Sequence, residues 1–214
     1  MSLKFIGRKK GMTQFFDSNG KLVVCTVIEA EPNIITMVKF PEKDGYKAVQ
    51  MCSIVLSPKS ARKMSKPRRG MYLKKHLDPH GELVESRVDD VTEYEVGQVF
   101  SVEYFKDISH VDIVGTTKGK GFQGVMKLHG FKGGPAAHGS GFHRTAGSTG
   151  MRSTPGRSLP GSPRASRMGG RTQTVQNLSV VHVDEEKQVL LVKGAIPGCS
   201  GSIVYISKAI KLGG

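Results

Sequence analysis

Tryptophan is absent, aromatics make up only 7% of the chain, and glycine takes 27 of its 214 positions. So little bulk and so much glycine predict that one part of the chain builds a core and another does not. Cysteine is nearly absent too. Cys25, Cys52 and Cys199 are an odd set without a C-x-x-C pair. That excludes a disulfide framework and a paired-thiolate zinc site, and it predicts three reduced thiols in a cytosolic protein. No apolar run approaches 18 residues and no apolar signal follows the start, so neither a membrane span nor export is expected. Acid is the scarcest class relative to its opposite: 18 Asp and Glu face 32 Lys and Arg, giving a net charge of +14. A chain this basic is built to meet a polyanion. With no apolar membrane element, nucleic acid is the leading class.

What is present divides into β-rich blocks and basic stretches. "KLVVCTVIEAE" (21–31) follows the turn signal Asp17-Ser18-Asn19-Gly20; "NIITMVKF" (33–40) and "KAVQMCSIVL" (47–56) come next. Further β signals lie at 82–88, 96–105, 107–115 and 202–210. At 178–194 a polar Asp184–Lys187 turn joins two apolar runs as a hairpin. Strands rich in Val, Ile and Thr at this spacing predict a mainly β barrel or sandwich. Lys59–Lys75 interrupts them with eight basic residues and no acid. Pro67 can open a short helix there, although Gly70 weakens it. Such a run is either a solvated face or an RNA contact.

Gly115–Thr172 is different in kind. It holds ten Lys/Arg, fifteen Gly and no acid, so ten of the fourteen net charges sit in it. It has no sustained period of 2 or 3.6 and cannot bury a core of its own. Ordering its backbone costs on the order of 1–2 kcal/mol per residue. A long basic loop is therefore predicted, mobile in isolation and fixed when it lies in RNA.

Within it, Gly119, Gly121 and Gly124 form a G-x-G-x-x-G. A dinucleotide turn needs a strand before this motif, a helix after it and an acid about 20 residues on. Val111–Val114 supplies the strand. After Gly124 only "VMKLH" precedes Gly130, so a helix is doubtful, and the position for the acid is Arg144. The motif is read instead as glycines that let main-chain amides approach phosphates, with Lys118 and Lys120 adding charge. A plain flexible linker is the bland alternative, but a linker has no reason to avoid acids. His129, His138 and His143 lack a fourth metal ligand and an orienting acid, so base stacking or RNA-backbone hydrogen bonds suit them better than zinc or catalysis. Phe122, Phe131 and Phe142 serve equally as base-stacking rings or loop anchors. Cys199 has no base partner and is read as structural. No catalytic residue, metal or cofactor is expected.

"GTTKGKGFQGVMK" (115–127), "HGS..HR..GSTG" (138–150), "TPG" (154–156) and "RMGG" (167–170) occur in an order that resembles the large-subunit ribosomal protein family L-three, bacterial or organellar type. The resemblance continues through 174–198 and begins with "GRKKGMTQFFDSNG" (7–20), so it covers most of the chain. It implies a translation-factor-like β-barrel from 1–58, 91–117 and 172–214. A basic subdomain (59–90) with a short helix would be inserted in it, and a loop (118–171) would penetrate rRNA toward the peptidyl-transferase centre. It further implies direct binding of large-subunit rRNA near its 3′ end, a part in nucleating assembly, and neighbours from the L-fourteen and L-nineteen families. The rRNA contacts implied are Arg8, Lys9, Lys10, Arg62, Lys63, Arg68, Arg69, Lys118, Lys120, Lys127, Lys132, His138, His143, Arg144, Arg152, Arg157, Arg164, Arg167 and Arg171. Met151, Arg152, Ser153 and Thr154 would form the loop tip. Two features depart from the family: Leu128 stands where many bacterial members have a basic residue, and Ser153 where some have a methylated Gln. An architectural nucleic-acid protein outside the ribosome is the alternative.

Overall fold

The computed structural model describes residues 3–16 and 19–212. The chain forms two compact units, Met1–Thr116 with Thr172–Gly214, and Thr117–Arg171. In chain order the elements are β1 (Phe5–Phe16), β2 (Leu22–Glu29), β3 (Asn33–Lys39), α1 (Pro41–Asp44), β4 (Ala48–Val55), α2 (Pro58–Arg62), α3 (Lys66–Leu73) and β5 (His80–Arg87). They continue with β6 (Val99–Phe100), a 3-10 turn at Val102–Phe105, β7 (His110–Thr116), β8 (Phe122–Gln123), α4 (Val125–His129) and β9 (Ser166–Arg167). The last three are β10 (Thr172–Asp184), β11 (Val189–Lys193) and β12 (Ile203–Lys208).

Six antiparallel strands close into a barrel in the order β1-β12-β7-β10-β11-β2. Period-2 alternation turns Phe5, Ile28, Ile113, Leu190, Val192, Val204 and Ile206 inward, and each is essentially fully buried. Closure leaves the barrel itself without a free sheet edge to template aggregation. The β10–β11 hairpin forms as the sequence predicts, its turn held by Asp184 Oδ1 accepting from Lys187 N–H at 3.1 Å. Of the other predicted turn, Asp17 and Ser18 lie outside the described residues, and Gly20 has φ 74°.

The strands at 33–39 and 48–55 lie outside the barrel. They form a separate four-stranded sheet, β5-β4-β3-β6, in which β5 of the predicted insertion pairs with β4 from Ala48↔Arg87 to Val55↔His80. The two sheets share one core: Ile35, Val49 and Met51 belong to the same buried cluster as the barrel residues, together with Val102 and Phe105. Residues 96–105 also differ from the sequence reading. Only Val99–Phe100 is strand; Val96 and Gly97 form a turn before it, and Val102–Phe105 after it is the 3-10 segment, where Ser101 Oγ accepts from Glu103 N–H at 3.4 Å. The reason is the ring of Phe5, which has Tyr104 at 4.7 Å and Phe105 at 4.8 Å. Consecutive strand residues point to opposite faces and cannot both reach one ring.

Cys25 and Cys52 are buried on β2 and β4, Cys199 is exposed, and none is disulfide-bonded. Burial pushes the Cys52 thiol up to about 11. No helix among the described residues is long and apolar enough to cross a membrane.

Candidate nucleic-acid interface

Thr117–Arg171 is drawn together at its root by its own backbone. Thr117 N–H donates to Arg171 O (3.0 Å), Gly170 N–H to Thr117 O (3.1 Å), Lys120 N–H to Met168 O (2.8 Å) and Met168 N–H to Gly121 O (2.9 Å). The ladder continues as Phe122↔Arg167 and Gln123↔Ser166. This stem explains Gly169: its φ is 70°, and a Cβ there would lie 2.0 Å from Lys118 O. Hydropathy gives no hint of the stem, because almost nothing in it is buried; the "RMGG" pair is the one local signal of a tight chain approach.

The G-x-G-x-x-G lies inside this stem and does not make a nucleotide turn. β7 ends before it, β8 falls within it, and the helix that follows, α4, is a five-residue turn ended by Gly130. A helix is thus present where the sequence left it doubtful, but the acid is still missing. Gly119 and Gly124 face open space, as a close approach by an outside partner requires.

Farther along, the chain closes on itself again. Gly134 N–H donates to His143 O at 3.4 Å, and a Cβ on Gly133 or Gly134 would come within 2.2 Å of a carbonyl oxygen. His143 Nδ1 lies 3.0 Å from Pro135 O, and His129 Nε2 lies 3.1 Å from Arg164 O. Each ring therefore keeps its other nitrogen for a partner. His138 is exposed. Among the described residues no group of His, Cys, Asp and Glu is placed to hold a metal.

The charge in this unit is entirely outward. Lys118, Lys120, Lys127, Lys132, Arg144, Arg152, Arg157, Arg164, Arg167 and Arg171 are all exposed, as are Met151, Ser153 and Thr154. The unit contains no acid to pair with them, and its one buried residue is Val125.

In the first unit the predicted contacts split. Arg62, Lys63 and Arg69 are exposed around α2 and α3, whereas Arg68 turns inward and donates through Nη2 to Gly81 O at 2.8 Å. Lys75 of the same run donates to Thr36 O, and burial holds its pKa below the ordinary lysine value. Lys10 pairs with Glu29 at 2.9 Å, and Arg8 is partly buried. Lys9 differs most from its expected role. It is buried, and its Nζ donates to Ile196 O (2.9 Å) and Gly198 O (3.1 Å), so its charge tethers the 196–198 loop. A count of basic residues cannot separate these inward cations from the outward ones.

A family model described as ribosomal protein L3 matches residues 8–190. The chain is 51% identical to large ribosomal subunit protein uL3 of Protochlamydia amoebophila, covering 99% of this chain and 92% of that protein. It is 50% identical to the protein of the same name from Borrelia hermsii, covering 99% of each. The match with that of Chlamydia caviae is 51%, over 99% of this chain and 98% of the other.

Proposed function

The chain belongs to the ribosomal protein L3 family, in its bacterial form, and on that premise we propose that it is a non-enzymatic constituent of the large ribosomal subunit that binds rRNA directly through residues 117–171. One observation supports this most: every Lys and Arg of that unit is exposed and none has an acid beside it. Left alone the segment repels itself; among RNA helices its charges neutralise phosphates that resist packing together.

In this reading the barrel and the 59–90 region dock on the rRNA surface, with Arg62, Lys63 and Arg69 as their contacts. The 118–171 extension runs inward. Lys118, Lys120 and Lys127 grip rRNA at its root, His138, His143 and Arg144 line its shaft, and Met151–Thr154 lie at the tip nearest the peptidyl-transferase centre. Binding falls near the 3′ end of the rRNA and helps nucleate assembly, beside proteins of the L-fourteen and L-nineteen families.

The test is the salt dependence of binding to large-subunit rRNA. Replacing Lys118, Lys120, Lys127 and Lys132 by Gln lowers affinity and flattens the slope of log K against log salt by about 0.7–0.9 for each phosphate left without its cation. An unchanged slope and affinity would sink the reading.

A further inference from the structure

Residues 117–171 contain an open pocket of about 500 Å³. Phe131, Met151, Pro155 and Leu159 give it apolar walls, and Arg157 and Arg164 line it as well. Side-chain hydrogen bonds, not a core, tie the wall together. Ser158 Oγ donates to Thr149 O (3.1 Å) and Ser162 Oγ to Leu159 O (3.0 Å), while Arg164 Nη2 donates to Ser158 Oγ (2.6 Å). Two serine hydroxyls are thus engaged with main-chain carbonyls and one of them also with Arg164, so the hollow combines apolar side chains with guanidinium charge. Met151 is 74% and Leu159 54% exposed, in a unit with one buried side chain.

This combination selects its ligand. Apolar walls and a thioether suit a flat π-system. Guanidinium planes stack on such a ring or take the phosphate attached to it. The acid-free surroundings favour a ligand carrying negative charge, and the volume lies in the range of small-ligand sites. We propose that this pocket receives a single unstacked nucleobase of an RNA strand, gripped between the apolar wall and the two arginines. The assignment rests on the rRNA-binding reading above, and it names a base-specific anchor within an otherwise phosphate-directed surface.

Ultraviolet crosslinking of the full chain bound to large-subunit rRNA, followed by mass spectrometry of the adducts, tests it. A nucleotide adduct on Phe131 or Met151 is expected. Ala146→Leu, which fills the pocket, and Phe131→Ala, which removes its ring, each weaken binding about tenfold at fixed salt, the scale of one base stack removed. Both variants keep the thermal transition of the wild-type barrel. Adducts confined to the root residues around Lys118 and Lys120, with both variants binding as wild type, overturn the pocket and leave the rRNA reading standing. No adduct anywhere in 117–171 removes the rRNA reading and the pocket with it.

Discussion

Residues 117–171 and the rest of the chain reach a defined path by different physics. The barrel and its companion sheet bury Phe5, Ile35, Phe105, Ile113 and their neighbours in one continuous core, and their cations sit among 18 acids. The other unit buries Val125 alone. Its course is set by main-chain hydrogen bonds and by glycines packed against carbonyl oxygens at Gly133, Gly134 and Gly169. Hydrogen bonds open to water contribute only about 0.5–1.5 kcal/mol net each, less than the entropy of ordering the residues that make them. Shape without burial is provisional, and in the proposed reading a polyanion completes that unit's energetics. In that reading the two regions have separable tasks, stability in one and recognition in the other.

Removing 118–171 is the most severe way to break the comparison. The barrel is expected to remain folded, with its cooperative unfolding transition intact, while rRNA affinity at fixed salt falls by two orders of magnitude or more. Equal affinity for the truncated chain would mean that recognition lies in the barrel. Core substitution probes the other side. Ile113→Ala should cost about 2–5 kcal/mol in urea unfolding, whereas Leu159→Ala should cost under about 0.5 kcal/mol. Similar losses at both sites would show a hidden core in 117–171.

Lys9 sharpens the division within the cations. Lys9→Met leaves the carbonyls of Ile196 and Gly198 without their donor and should destabilise the fold by about 1–3 kcal/mol, with rRNA affinity changed less than twofold. A large affinity loss in a variant of normal stability would return Lys9 to the RNA surface. The smallest effect concerns pH. Glu85 accepts from Lys39 Nζ (2.5 Å) and Tyr46 OH (2.6 Å). Partial burial pushes its pKa up, but these two hydrogen bonds outweigh it and hold the carboxyl below its ordinary 4.5. A lowered folded pKa stabilises above about 4.5 and is lost as pH falls through the folded value. Glu85→Gln should cost about 1 kcal/mol at neutral pH, less at pH 3, and reduce the steepness of acid unfolding. An unchanged acid limb would mean the carboxylate contributes nothing.

Much of this was legible in the chain. The barrel strands announce themselves because burial enforces alternation: 21–31, 107–115, 178–194 and 202–210 all contain strands near the predicted bounds. Residues 96–105 mislead because an apolar run encodes burial and not geometry, and the geometry there follows from one distant ring, Phe5. The assignment of 33–55 to a second sheet was invisible for a similar reason, since a half-buried strand reads alike whichever neighbour it pairs with. The proposed interface shows itself in the sequence as a count of charges; its stem does not, because backbone pairing between exposed residues leaves no hydropathic trace. Nor could the sequence tell that Lys9, Arg68 and Lys75 face inward while the residues beside them face water.

The pairing of Thr116 with Thr172 has a consequence for how such a protein can change over time. The chain leaves one barrel strand and returns on that strand's hydrogen-bonded neighbour, so the barrel is indifferent to what lies between. Closing a flexible loop costs only about 0.6 kcal/mol more for each doubling of its length. The junction is a socket: an extension can be lengthened, shortened or exchanged there without renegotiating the fold that carries it.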